Sequence, residues 1–360
     1  MKAVILVGGK ATRLEPLTSN IPKALVPVLN IPFLEHVIRH LVRHRISEII
    51  LAQGHLAQSI EGSLGNGNRF GIKLNYVTED SPRGTAGAIK NTEKYLDETF
   101  LVLNGDIFTD LDLTAMLEFH RQRKALVSIA LSPVDDPTAY GLIETDEDSR
   151  ITRFLEKPKP EEVTTNMINA GTYIIEHGVL ARIPAEKSVS IERETYPQLL
   201  ASEEPIYAYP STAYWIDIGT PEKYLQLHRN LLADKYQGYS FSPDEAALIG
   251  RNSLIHPTAQ ITRPVLIGGD CYIGRGVKLT GPVVIGNGCN IEENCVVEDS
   301  VIWRDNHLEP AVNLKNCIIA NNCHLGQNSA AEGVVLGEEV SIKSGTKLQP
   351  GSRVEPGKNL

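Results

Sequence analysis

Three observations predict an α/β domain followed by a parallel β-helix. Short apolar runs alternate with amphipathic segments up to about residue 133, and a six-residue period of aliphatic side chains begins near residue 255. Gly or Asp also stands at the C-terminal end of several early apolar runs, where open α/β sheets bind their ligands.

The first strand, Ala3 to Val7, delivers Gly8 and Gly9, and the loop beyond them carries Arg13 and then Pro22-Lys23. Glycines at a strand end let the backbone approach a base or phosphate, and their exposed N–H groups form an anion-binding nest. The spacing is neither GxGxxG nor the phosphate loop ending in GK[ST]. Arg13 suits bidentate contact to a departing pyrophosphate, and Lys23 supplies a compact point charge.

Further strands are expected at Glu48 to Ala52, Lys73 to Val77, Thr99 to Asn104 and Ala125 to Leu131, with helices near Phe33 to His44, Thr85 to Tyr95 and Leu113 to Arg123. His36, His40 and His44 read as the polar shoulder of a helix buried through Leu34, Val37, Ile38 and Leu41. No Ser/His/Asp or Cys/His arrangement stands out. After the third strand, Gly84 permits a sharp turn and Thr85 can cap the next helix, so this segment can pass under a base or ribose or simply start a helix. The fourth strand ends in Asn104-Gly105-Asp106, and Asp217 has the same context of strand, carboxylate and Gly. Each aspartate alone could be a turn or cap residue. As a pair beside a phosphate loop they suit Mg²⁺, which takes one or two carboxylates with phosphate oxygens and water.

Tyr140 to Thr145, Arg150 to Pro158 and Met167 to Ile175 read as a mixed β insertion suited to a second substrate. Glu156 and Asn169 could hold sugar hydroxyls and Lys157 a phosphate, with Gly141 and Gly171 leaving room for a ring. A helix is expected from Pro221 to Asp234. Residues 1–236 then form the first domain, 237–250 a linker and 251–360 the coil.

In the coil, Ile255, Ile261, Ile267, Ile273, Leu279, Ile285, Ile291, Val297 and Trp303 are evenly spaced, with a small residue four positions after each of the first eight. The frame slips after Glu309 and again after Leu325, which suggests protruding loops. All five cysteines fall here, Cys271, Cys289, Cys295 and Cys323 at the small inward position and Cys317 at its equivalent, as stacked apolar residues.

A net charge of -9 argues against nonspecific nucleic-acid binding, and no apolar stretch reaches membrane-span length, so a cytoplasmic protein with no membrane partner is expected.

The cradle with Pro22-Lys23, Gly84-Thr85-Ala86-Gly87, Gly105-Asp106, Glu156-Lys157-Pro158, Asn169-Ala170-Gly171 and Trp215-Ile216-Asp217-Ile218-Gly219 occur in the order seen in sugar-1-phosphate nucleotidylyltransferases. Within that family the chain most resembles the mannose-1-phosphate guanylyltransferases. The resemblance implies a Rossmann-like mixed sheet and a left-handed β-helix. It implies catalysis by Arg13, Lys23, Asp106 and Asp217, with Mg²⁺ on the two aspartates. It also implies nucleotide contacts at Gly8, Gly9, Gly84 and Thr85 and sugar-phosphate contacts at Gly141, Glu156, Lys157 and Asn169. The substrates would be GTP and mannose 1-phosphate. UTP or dTTP with glucose 1-phosphate is the alternative chemistry, and a non-catalytic sugar-nucleotide sensor is the alternative of another class. The family loop usually has Gly where this chain has Ala11. The coil would assemble homo-oligomers or regulate. Acyl transfer through His256, His307 or His324 is its rival role.

Overall fold

The computed structural model describes residues 1–9, 11–54, 56–233 and 248–360, so most of the 237–250 linker lies outside the described residues. The chain packs as two compact units, Met1–Gly9 with Leu34–Ile216, and Lys10–Phe33 with Asp217–Leu360.

The first unit is built on a mixed sheet of strands β1 (Ala3–Val7), β2 (Glu48–Gln53), β3 (Lys73–Thr78), β4 (Phe100–Asn104), β5 (Val127–Pro133), β6 (Gly141–Thr145), β7 (Ile151–Glu156), β8 (Met167–Ile175) and β9 (Ile206–Pro210). Four strands are parallel in the order β4-β1-β2-β3. Aliphatic residues on both faces of β1 and β4 are buried, the pattern of strands covered by helices on both sides. β8 then runs antiparallel to β4, β5 and β6, which makes the second half of the sheet mixed.

Helices α1 (Phe33–Arg43), α2 (Ala57–Leu64), α3 (Gly84–Asn91), α4 (Leu113–Arg123) and α5 (Tyr196–Ala201) follow, of which α2 and α5 were not expected. α4 starts where Asp112 accepts the backbone N–H groups of Thr114 and Ala115, each at 3.0 Å. The expected polar shoulder of α1 is instead largely interior. His36 and His40 are buried, and burial with the neighbouring His44 and Arg43 lowers the pKa of His40 to about 3. The His40 ring stays neutral, and both rings pack as bulky core groups.

In the second unit, the strands beyond Leu248 stack into three parallel sheets around one aliphatic core. Successive turns pair Leu254 with Tyr272 and Tyr272 with Asn290, eighteen residues apart; from Ile285 paired with Ile302 the turns shorten to seventeen, returning to eighteen at Leu336 paired with Val354. The slips are therefore turns one residue shorter, with no protruding loop. The shift also falls earlier than the spacing suggested. Ile302 takes the inward slot, and Trp303 faces out of the coil, where its Nε1 donates to Tyr224 Oη at 3.0 Å. All five cysteines are buried in the coil core, as expected.

Gly171 interrupts β8 with φ +67°, where a Cβ would lie 2.3 Å from Ile107 Cδ1 and 2.7 Å from Asn104 Nδ2. Both the backbone and the space exclude a side chain. Gly171→Ala is expected to destabilise the first unit by about 2–3 kcal/mol, read as a lowered urea midpoint with an unchanged m-value.

Candidate active site

In the first unit the ends of β1, β2, β3 and β4 converge around glycines. Gly8 and Gly54 pass so closely that a Cβ on Gly54 would lie 3.2 Å from Gly8 O. Gly105 fits because a Cβ there would meet Val7 Cγ1 at 2.4 Å and Leu6 O at 2.7 Å. Its N–H donates to Leu6 O at 2.9 Å, which carries Asp106 past the end of β1. Gly8 and Gly9 are exposed, and Asp106 is half-buried.

Sequence reasoning missed Glu79, which follows β3. Its carboxylate lies beside Gly8, 3.8 Å from the position of a Cβ there. Its Oε1 is shielded from solvent and has no hydrogen-bond partner among the described residues, and burial raises its pKa. A shielded carboxylate at a strand end was indistinguishable in the sequence from the solvated acid Asp80 beside it.

Gly84 opens α3 and packs on Val189. Thr85 does not cap that helix. Its hydroxyl donates to Glu192 Oε2 at 2.7 Å and accepts from Ile191 N–H at 2.8 Å, tying α3 to the segment Ile191–Thr195. Capping was outcompeted by a partner more than a hundred residues away.

The β insertion brings Gly141 and Glu156 together as paired residues of β6 and β7. A Cβ on Gly141 would lie 2.9 Å from Glu156 Oε2, so the glycine leaves that carboxylate its place. Burial, followed by the nearby Glu192, raises the Glu156 pKa. Lys157 is exposed at φ +53°, a strained conformation for a residue with a side chain. Asn169 donates to Tyr173 Oη at 2.8 Å and accepts from Gly171 N–H at 2.9 Å, leaving its amide one further hydrogen for a ligand.

In the second unit Ala11 has φ +50° and its carbonyl accepts from Thr18 Oγ1 at 3.0 Å, so this loop adopts the left-handed conformation that glycine favours even though it holds Ala. Arg13 is exposed on the following turn, and Lys23 is half-buried after the extended Pro22. Asp217 is buried and paired with Lys223 Nζ from α6 (Pro221–Leu232), a cation that sequence reasoning did not single out. A Cβ on Gly219 would lie 2.8 Å from Asp217 Oδ2 and 3.1 Å from Arg13 Nη2, so the carboxylate and the guanidinium share the space over that glycine.

Among the described residues no group of three or more His, Cys, Asp or Glu side chains is placed to hold a metal. A Mg²⁺ held by one or two carboxylates and by phosphate oxygens needs no such group; the hard oxygens of Asp217 suit that ion, which would share the carboxylate with the Lys223 ammonium.

Two other polar constellations are present. Ser128, His120 and Glu176 form a hydrogen-bonded chain with steps of 2.8 and 3.1 Å, a Ser/His/acid arrangement the sequence did not reveal. Ser128 is wholly buried within β5, so the chain satisfies interior polar groups. His307 and His324 stand in register on the coil's outer face, each against a glutamate (Glu292 at 2.6 Å, Glu309 at 3.0 Å).

A model of the nucleotidyl transferase family matches residues 2–234, and a model described as the EIF2B subunit epsilon LbH domain matches residues 244–348. The coil is accordingly a left-handed β-helix. A mannose-1-phosphate guanylyltransferase of Mycobacterium tuberculosis is 41% identical over 74% of this chain and 73% of its own length. A UTP–glucose-1-phosphate uridylyltransferase of Synechocystis is 33% identical over 87% and 86%. Among solved structures, HddC from Yersinia pseudotuberculosis complexed with GMP-PN has a TM-score of 0.55 and 33% identity, covering 63% of this chain and 97% of that one. The chain belongs to the nucleotidyl transferase family, as a sugar-1-phosphate nucleotidyltransferase. No helix among the described residues is long and apolar enough to cross a membrane.

Gly219→Ala is expected to lower kcat by about tenfold or more while shifting the thermal midpoint little, because the added methyl displaces Arg13 and Asp217 rather than core atoms. Steady-state kinetics beside a melting curve separate the two effects.

Proposed function

We propose that the protein transfers a guanylyl group from GTP to mannose 1-phosphate, releasing pyrophosphate. Residues 1–236 perform the chemistry in the cytoplasm, and the coil of residues 251–360 assembles a homo-oligomer. A phosphate oxygen of the sugar phosphate attacks the α-phosphorus as the bond to the pyrophosphate oxygen breaks. No protein nucleophile is required, because the attacking phosphate is already ionised; the chain orients two anions and offsets their charge. Arg13 and Lys23 face the NTP phosphates, Lys157 the sugar phosphate, and Glu156 and Asn169 the sugar hydroxyls. Gly8, Gly9, Gly84 and Thr85 line the nucleotide, and Gly141 leaves room for the sugar. Asp106 and Asp217 would hold Mg²⁺, which when bound lowers the repulsion between the reacting phosphates.

The choice of base rests on Glu79. A carboxylate only accepts hydrogen bonds. Guanine offers it two adjacent donors, N1–H and the 2-amino group, whereas uracil and thymine offer one N–H flanked by carbonyl oxygens that a carboxylate repels. The unpartnered Glu79 Oε1 beside Gly8 therefore favours guanine. The guanylyltransferase relatives and the GMP-PN complex of HddC support the same reading. The uridylyltransferase likeness over 87% of the chain keeps UTP with glucose 1-phosphate as the second reading.

Two measurements test this. Asp106→Ala and Asp217→Ala should each lower Mg²⁺-dependent turnover at least a hundredfold with the fold retained by circular dichroism; full activity in either would sink the metal assignment. A matrix of GTP, UTP and dTTP against mannose and glucose 1-phosphates, read by pyrophosphate release, should show GTP preferred. Glu79→Gln should reduce the GTP-over-UTP ratio of kcat/KM by about tenfold or more, and an unchanged ratio removes Glu79 from base recognition.

A further inference from the structure

The segment 10–33 with Arg13 and Lys23 packs in one unit with the coil. Among the described residues, side-chain links of Asn30, Asn20 and Arg353 join them. Asn30 Nδ2 donates to Ile285 O at 2.8 Å, and Asn20 Nδ2 to Glu338 Oε2 at 3.3 Å. The third comes from the last strand of the coil. Arg353 Nη1 lies 3.1 Å from the carbonyl oxygen of Arg13 and 3.5 Å from that of Glu15, while Nη2 lies 3.4 Å from Glu222 Oε1 in the first turn of α6.

We propose that Arg353 is a positioning residue for nucleotide binding, holding the peptide of Arg13 so that its side chain is presented to the NTP phosphates. One planar guanidinium, with donors in a fixed fork, grips both the Arg13 turn and the helix that starts four residues after Asp217. Its own backbone is pinned by pairing with Val335, and Val354 beside it is buried in the coil core. The Arg13 turn is a three-residue 3₁₀ turn entered through the strained Ala11; Leu14 anchors it in the interior, and the Arg353 fork reaches the peptide oxygens on either side of that anchor. Without the fork, the loop would sample conformations in which Arg13 misses its phosphate, and small misplacements of a charged group are costly in rate.

The proposal rests on the nucleotidyl-transfer reading, and its test separates the two. In Arg353→Ala, hydrogen exchange at residues 11–17 should accelerate about tenfold or more while exchange in the coil core and the melting temperature stay as in the wild type. The KM for GTP should rise about fivefold or more with the KM for mannose 1-phosphate unchanged, and Arg353→Lys should recover part of it. Unchanged exchange in the loop overturns the positioning role whether or not the chain turns over GTP. A rise in both KM values, or loss matched by a lower melting temperature, overturns it in favour of a general structural role. A wild-type chain that turns over no NTP refutes the reaction itself.

Discussion

The second unit depends on one buried hydroxyl. Tyr224 Oη accepts from Trp303 Nε1 and donates to the carbonyl oxygen of Pro27, joining α6, the coil and the cation-bearing segment at one atom. Tyr224 and Trp303 are fully buried, so each polar group would cost about 1–3 kcal/mol if left without its partner. Mutual satisfaction makes the arrangement specific. Around it, Arg229 forms a two-pronged ion pair with Asp299 at 2.8 and 2.7 Å and reaches Asn316 Oδ1 at 2.6 Å, fixing α6 against successive turns of the coil. Asp217 lies just before that helix and Lys223 within it, so the docking of α6 carries both.

The first unit works by a different constraint, the close approach of strand ends. Gly8, Gly54 and Gly105 remove the side chains that would hold β1, β2 and β4 apart where their main chains emerge. Gly8 and Gly9 are thereby left exposed, while the carboxylates of Glu79 and Asp106 follow the ends of β3 and β4. Peptide dipoles and carboxylates sit near one another in a chain with a net charge of -9, so binding of polyanions depends on local positive charge rather than the overall field.

Much of this was legible in the sequence, for reasons that differ by element. The parallel strands showed because burial on both faces forces unbroken apolar runs such as Val4-Ile5-Leu6-Val7. The coil showed because a stacked core repeats its side chains. The failures have equally physical causes. Trp303 was assigned inward because the period alone cannot register a turn shortened by one residue; only the buried Ile302 reveals the new phase. Thr85 looked like a cap because helix-start chemistry is local, whereas Glu192 is not. Glu79 was passed over because an unsatisfied oxygen is a property of surroundings. The contact between Arg353 and the Arg13 turn joins residues 340 positions apart, and nothing in either neighbourhood announces it.

The stacked turns give the coil the character of a ruler. Ile302, Ile319, Leu336 and Val354 lie directly above one another, three steps of about 4.8 Å between the turn that docks α6 and the turn that carries Arg353. One residue more or less per turn is absorbed within a turn, as the mixture of seventeen and eighteen shows. A whole turn added or removed would leave every core contact intact and still move the guanidinium by about 5 Å from the loop it grips. Evolution of such a chain is thus free in the length of each turn and bound in their number between these two points.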